Sequence, residues 1–327
     1  MPPPAVPDLS GTCLVTGAAG FIGSHLCERL LASGCRVIGV DSFTDYYDRT
    51  LKESNLRVAL ASPKFELREL DLVTADLSAV VEDVDFVFHL AGQAGVRASW
   101  GSNFNSYLEN NVLATQRLLE SATRSGRLRR LVFASSSSVY GNPAQLPATE
   151  ATVPRPVSPY GVTKLAAENL CSLYALNFGL PAVALRYFTV YGPRQRPDMA
   201  FNRFTRAILE GRRIEVNGDG EQTRDFTFVA DIVEVNVAAA LAPEHRISGH
   251  VYNVGGGSRV SVNQVLAILA EVTGREPSLH FGPEQKGDAR HTFADCSAAH
   301  ADLGFDPKWS LRDGLRAEVA WISENRS

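Results

Sequence analysis

The 327-residue sequence predicts an α/β fold, a doubly wound parallel sheet followed by a smaller α/β C-terminal substrate-binding region, and three observations predict it. Short apolar strand patterns alternate with helical periodicity along roughly the first 190 residues, the signature of βαβ units. Strands such as Phe86-Val87-Phe88 are apolar on both faces, as a parallel sheet covered by helices on each side requires. A glycine-rich turn, Gly17 to Gly23, joins the first strand directly to the first helix, the place where such a sheet holds phosphate groups.

Strands are expected at Thr12 to Thr16, Arg36 to Val40, Phe65 to Leu70, Asp85 to Leu90, Arg130 to Ala134 and Ala182 to Arg186. Between them, the clearest helical stretches run from Asn105 to Ser125 and from Pro159 to Asn177. Beyond Tyr191 the rhythm shortens: Asn202 to Glu210 helical, Ile214 to Val216 extended, Asp231 to Leu241 helical, Val251 to Val254 extended, then a helix opened by the capping box Ser261-Val262-Asn263-Gln264. This divides the chain into residues 1–190, a Rossmann-type dinucleotide domain, and residues 191–327, a smaller domain with some exchange of strands and helices between them. Ligands of such sheets bind beyond the carboxyl ends of the strands. Asp41, Asp71, the segment His89 to Arg97, the serine run Ser135 to Ser138 and Tyr187 all fall on that edge.

Composition excludes several classes of function. A net charge of -4 and a pI near 6.0 offer nothing to nucleic acid or an anionic membrane. The basic cluster Arg124, Arg127, Arg129 and Arg130 is expected at the surface, at a helix end whose dipole suits cations. No apolar run approaches the ~20 residues that span a bilayer, and the opening Met1-Pro2-Pro3-Pro4 lacks the regions of a signal peptide. A cytoplasmic protein is expected. The five cysteines, Cys13, Cys27, Cys35, Cys171 and Cys296, are scattered without ligand spacing, and the seven histidines lack metal-binding companions, so no metal is expected.

In the first turn, Gly17 permits the bend, Gly20 lets backbone approach a pyrophosphate and Gly23 allows close helix packing. The second strand ends in Asp41, whose carboxylate accepts ribose hydroxyls and repels a 2'-phosphate, favouring NAD over NADP. Tyr160 and Lys164, four apart, share a helix face, so the ammonium can lie near the phenol and favour its ionised form. Moving a Tyr from ~10 to working pH needs ~3 units, roughly 4 kcal/mol, from Lys164 and a cationic cofactor. A hydroxyl of the serine run can then hold a substrate alcohol while the phenolate takes its proton. Tyr-x-x-x-Lys alone arises on many exposed helices; its company here gives it meaning. Among Arg194, Arg196, Arg212, Arg213, Arg224 and Arg290, guanidinium groups from separate loops could clamp a diphosphate.

With Thr16-Gly17-Ala18-Ala19-Gly20-Phe21-Ile22-Gly23, the serine run and the Tyr160/Lys164 pair, the chain resembles, over essentially its whole length, the extended short-chain dehydrogenase/reductase family, specifically its nucleotide-sugar epimerases and dehydratases. Asp41-Ser42-Phe43-Thr44-Asp45-Tyr46-Tyr47-Asp48, Gln93-Ala94-Gly95-Val96-Arg97 and the segment Arg186 to Ala200 look like those of UDP-glucuronic acid 4-epimerases. The resemblance implies a tightly held NAD on Gly17, Gly20, Phe21, Ile22, Gly23, Asp41, Asp71, Leu72, Leu90, Ala91, Gln93, Tyr160, Lys164 and Tyr187. It implies Tyr160 as base, Lys164 on the nicotinamide ribose, and Ser136 as hydroxyl partner in forming a 4-keto sugar that is turned over and reduced on its other face. It further implies a UDP-sugar held by Arg97, Ser136, Ser137, Ser138, Thr189, Arg196, Arg224, Asp288 and Arg290, with Ser137, Ser138 and Thr189 taking a carboxylate at carbon 5. Related dehydratases carry Asp-Glu where Ser137 and Ser138 stand, and related decarboxylases a Glu at Ser138. The alternatives left open are UDP-glucuronate decarboxylation, epimerisation of neutral UDP-glucose and a non-catalytic NAD-sensing scaffold. The family also implies a homodimer formed by the helices Asn105 to Ser125 and Pro159 to Asn177.

Overall fold

A computed structural model describes residues 9–325. The opening Met1-Pro2-Pro3-Pro4, read above for a signal peptide, lies outside the described residues. Seven parallel strands form the central sheet: β1 (Thr12–Thr16), β2 (Arg36–Asp41), β3 (Phe65–Glu69), β4 (Phe86–His89), β5 (Arg130–Ser136), β6 (Ala182–Tyr187) and β7 (Val251–Val254), in the order β7-β6-β5-β4-β1-β2-β3. The order reverses between β1 and β4, whose carboxyl ends therefore open a crevice.

The sheet is buried on both faces, and strand alternation sorts the side chains. Cys13 and Val15 of β1, Val132 and Ala134 of β5, and Val183 and Leu185 of β6 join one core, which includes Leu26 and Leu30 of the helix Phe21–Ala32 and Ile232 of the helix Val229–Leu241. Leu14, Leu131, Phe133, Ala182 and Ala184 point the other way and pack with Leu118, Leu119, Ala167 and Cys171. The helix Pro159–Phe178 starts where Ser158 accepts the Gly161 N–H with Pro159 in the first position, and stops at Gly179 in a left-handed conformation.

Val251–Val254 is extended as read, and it pairs in parallel with Ala182–Tyr187 to complete the main sheet. Two local expectations differ from what is seen. The periodic stretch from Asn105 is helical over Phe104–Ala122, but Leu108–Leu113 is wound as a π-helix. That extra residue turns Asn111 inward, where it donates to Gln93 O and Thr163 Oγ1, each at 3.0 Å. Of the expected surface basic cluster, Arg130 is buried: it donates to Ala242 O at 2.8 Å because the helix Val229–Leu241 ends over it. The remaining C-terminal strands form small two-stranded pairs, Ile214–Asn217 with Leu279–Gly282 and Thr223–Asp225 with Arg259–Ser261.

Candidate active site

Two clefts meet at the carboxyl edge of the sheet. The first follows the β1–β4 crevice, and every residue assigned above to the dinucleotide lines it, from Gly17 through Asp41, Asp71 and Gln93 to Lys164 and Tyr187. The second, about 830 Å³, lies between the sheet edge and the C-terminal region and is lined by all the residues assigned to the sugar nucleotide, Arg97, Ser136, Ser137, Ser138, Thr189, Arg196, Arg224, Asp288 and Arg290. Tyr160, Tyr187, Ser135 and Arg196 belong to both walls.

The first cleft fits a dinucleotide in detail. Gly17 holds φ of +70°, and a side chain on Gly23 would put Cβ 2.1 Å from Gly17 O, so the turn and the helix can pack only without those side chains. Gly20 caps the helix Phe21–Ala32 with no side-chain bond, which leaves first-turn N–H groups open to an anion. Asp41 accepts Ala19 N at 3.0 Å and Phe43 N at 2.9 Å, one bond on each oxygen, so lone pairs remain for ribose hydroxyls. Lys52 was missed by the sequence reading; it lines the same cleft and is held by Thr44 O at 2.6 Å. Asn111, also missed, keeps a buried Oδ1 without a protein partner. No sequence signal marks either residue, since Lys52 and Asn111 sit in ordinary helical patterns.

At the junction, Ser136 Oγ accepts the Ser138 N–H at 3.1 Å, which shapes the short turn Ser137–Val139 and leaves its proton free to donate. It also lies near the Tyr160 phenol. Burial raises the Tyr160 pKa, while Ser136 and the nearby Arg196 guanidinium lower it. Lys164 Nζ donates to Ala134 O at 2.7 Å and lies 4.8 Å from the Phe133 ring centroid. Lys164 and Tyr160 share a helix face, yet the lysine chain reaches across to the end of β5. Burial holds the Lys164 ammonium down to about 8. The charge that faces Tyr160 in this structure is Arg196, itself tied to Asp198 at 2.9 Å, with Tyr46 OH on the same carboxylate at 3.2 Å.

The arginines separate into two sets. Arg194, Arg212 and Arg213 are paired with Glu28, Glu210 and Glu215 and line neither dinucleotide nor sugar cleft. Within the sugar cleft, Arg97 pairs with Asp288 and Arg290 with both Asp219 and Glu284, so those charges are already balanced. Arg224 donates to the carbonyls of Thr223 and Arg290 at 3.0 and 3.2 Å and has no carboxylate in ion-pair range among the described residues. Such a guanidinium is the one a diphosphate would satisfy best. Among the described residues, no group of three or more His, Cys, Asp or Glu is arranged to hold a metal, and no helix is long and apolar enough to cross a membrane.

A crevice shaped for a dinucleotide, joined to a second cleft beside Ser136 and Tyr160, defines an α/β enzyme of the nucleotide-sugar-modifying kind. The chain belongs to the NAD dependent epimerase/dehydratase family, whose model matches residues 13–255. It is 48% identical to the "uncharacterized UDP-glucose epimerase YtcB" of Bacillus subtilis, over 95% of this chain and 97% of that protein. It is 39% identical to a UDP-glucuronate 4-epimerase of Thermodesulfobacterium geofontis, over 96% and 97%. Among solved structures, a UDP-glucuronic acid 4-epimerase from Bacillus cereus in complex with UDP-glucuronic acid and NAD superposes with a TM-score of 0.92 at 43% identity, over 96% of this chain and 99% of that one.

Proposed function

We propose that this protein interconverts UDP-glucuronate and UDP-galacturonate by epimerisation at carbon 4 through a transient 4-keto sugar. One observation carries the reading: the Ser136–Tyr160 pair stands where the two clefts meet, and the sugar-side wall beside it is built from the hydroxyls of Ser137, Ser138 and Thr189. The B. cereus neighbour, crystallised with UDP-glucuronic acid and NAD, supports it.

In this reading NAD, when bound, supplies the acceptor and later the donor of a hydride. Ser136 holds the 4-hydroxyl of the sugar, and Tyr160 as phenolate takes its proton. After the ring turns over, Tyr160 returns the proton to the reduced oxygen. Lys164, Asp41 and the first turn after Gly20 hold the dinucleotide, and Arg224 holds the diphosphate. Ser137, Ser138 and Thr189, with Arg196 nearby, bind the carboxylate. A 4-keto uronic acid is a β-keto acid that loses carbon dioxide when the breaking bond aligns with the carbonyl, so fixing the carboxylate's orientation is part of the task. No acid side chain stands at Ser137 or Ser138 to assist elimination or decarboxylation.

Epimerisation of neutral UDP-glucose is the second reading, favoured by the name of the B. subtilis relative and by the fact that hydroxyls also bind an alcohol. Comparing turnover of UDP-glucuronate and UDP-glucose by the purified protein decides between them, and mass loss equal to carbon dioxide would instead show a decarboxylase. A homodimer is part of the proposal, supported by the exposed apolar side chains Leu108, Leu113, Val162, Leu173 and Leu176 on two neighbouring helices. So is a cytoplasmic location, supported by the free thiols of Cys13, Cys27, Cys171 and Cys296.

A further inference from the structure

Behind the Ser136–Tyr160 contact runs a buried polar chain that the reaction does not use. Glu168 accepts Arg186 Nε at 2.9 Å and Nη2 at 2.6 Å, and Ser135 Oγ at 2.5 Å. Arg186 Nη1 donates to Tyr140 OH at 2.6 Å, and Tyr140 OH donates on to Asn253 Oδ1 at 2.7 Å. Asn253 Nδ2 ends the chain on the carbonyls of Ala148 and Asp295, at 2.9 and 3.2 Å. All five side chains are buried, and Glu168, Arg186, Tyr140 and Asn253 line neither cleft.

Four of the five members sit next to a group of the site. Ser135 precedes Ser136 on β5, Arg186 precedes Tyr187 on β6, Tyr140 follows the turn Ser137–Val139, and Glu168 lies one helical turn beyond Lys164. A buried ion pair adds little net stability, because desolvation offsets the attraction and apolar packing does as well. What apolar packing cannot do is fix three strand and helix ends by directional bonds and set an anion one turn from a lysine.

We infer that the Glu168–Arg186 pair is a positioning unit for the hydride-transfer site: it locks the ends of β5 and β6 to the helix bearing Tyr160 and Lys164, and it supplies the negative charge facing the Lys164 ammonium. The inference rests on the roles given to Tyr160 and Lys164 above. From the lysine's own helix, Cys171 and Glu168 face it; from β4, His89; from β5, the Ala134 carbonyl and the Phe133 ring; from the helix Phe104–Ala122, Asn111. Arg186 stands beyond Glu168. Burial keeps the Cys171 thiol protonated, and burial beside Lys164 keeps His89 neutral at about 3. Glu168, ion-paired to Arg186, opposes the burial that lowers Lys164 to about 8.

The test is a titration of Lys164 itself. The chain has five lysines, Lys52, Lys64, Lys164, Lys286 and Lys308, so lysine carrying ¹³C at Cε gives a resolvable NMR spectrum in which Lys164→Arg assigns the signal. In the purified protein with its cofactor, Glu168→Gln moves the Lys164 midpoint to lower pH by about one unit or more. The alkaline limb of the epimerase pH profile moves the same way. An unmoved midpoint in folded Glu168→Gln overturns the inference, whatever the change in melting temperature. If the single variant does not fold, the neutral pair Glu168→Gln/Arg186→Gln is titrated instead and shows the same direction of shift; no shift, or loss of folding in both variants, marks the pair as structural only and overturns the proposal. The titration needs no sugar. A wild-type protein that fails to epimerise UDP-glucuronate would remove the functional reading and leave this result standing.

Discussion

The Ser136 hydroxyl stands beside the Tyr160 phenol where the dinucleotide and sugar clefts meet, and burial raises the phenol's pKa while Ser136 lowers it. Tyr160→Phe removes the proton acceptor but keeps the ring that lines both clefts. Its kcat falls by roughly 10³-fold or more, with NAD retained in the purified protein as read by absorbance after denaturation. In Ser136→Ala the phenol loses its donor, its pKa rises, and the acid limb of the pH profile moves to higher pH. Near wild-type rates for Tyr160→Phe would refute the assigned base.

His89 lies buried in the middle of the sheet between Thr16 Oγ1 at 2.7 Å and Thr115 Oγ1 at 2.9 Å, and burial with the nearby Lys164 lowers it to about 3. The unfolded chain binds a proton there below about 6.5, whereas the folded protein does not until about 3. Stability from this group is present above 6.5 and is lost as pH falls from 6.5 towards 3, by several kcal/mol at the limit. Melting temperature measured from pH 7 to pH 4 therefore falls, and His89→Gln flattens that slope. An equal slope in the variant would contradict the account.

Much of this was legible in the sequence, and the reasons differ by residue. Gly17, Gly20, Gly23 and Asp41 could be placed because backbone geometry at a strand–turn–helix junction restricts which residues fit. The strands of the sheet could be placed because both faces are apolar. Position along the chain does not reveal pairing, so that Val251–Val254 is extended could be read but not that it joins the main sheet beside Ala182–Tyr187. The π-helical segment at Leu108–Leu113 was hidden because one extra residue barely disturbs the apolar period. Helical spacing places Lys164 on the face of Tyr160 but does not give the direction of a four-carbon chain, whose Nζ here donates to Ala134 O.

The carboxylate site is testable through the hydroxyls that line it. Losing one hydrogen bond to a charged group costs roughly 1.5–3 kcal/mol, so Ser138→Ala and Thr189→Ala each raise KM for UDP-glucuronate about tenfold or more. With the carboxylate less restrained, the share of product lacking carbon dioxide also rises, as mass spectrometry of the nucleotide pool will show. Unchanged KM and product ratio in both variants would place the carboxylate elsewhere.

The exposed leucines of the two neighbouring helices predict their own partner. Leu173 is 51% exposed and Leu176 82% exposed on the helix Pro159–Phe178, beside Leu113 at 43%. Leu113→Glu/Leu173→Glu sediments as a monomer where the wild type sediments as a dimer. A wild type that is monomeric at micromolar concentration would remove this part of the proposal.

The most direct test follows one atom. UDP-glucuronate carrying deuterium at carbon 4 is incubated with the purified protein in ordinary water, and the nucleotide sugars are separated and weighed. The account predicts a UDP-galacturonate of identical mass with the deuterium still on carbon 4, because the hydride removed is the hydride returned. Exchange of that deuterium for solvent hydrogen, or a product lighter by carbon dioxide, would contradict it.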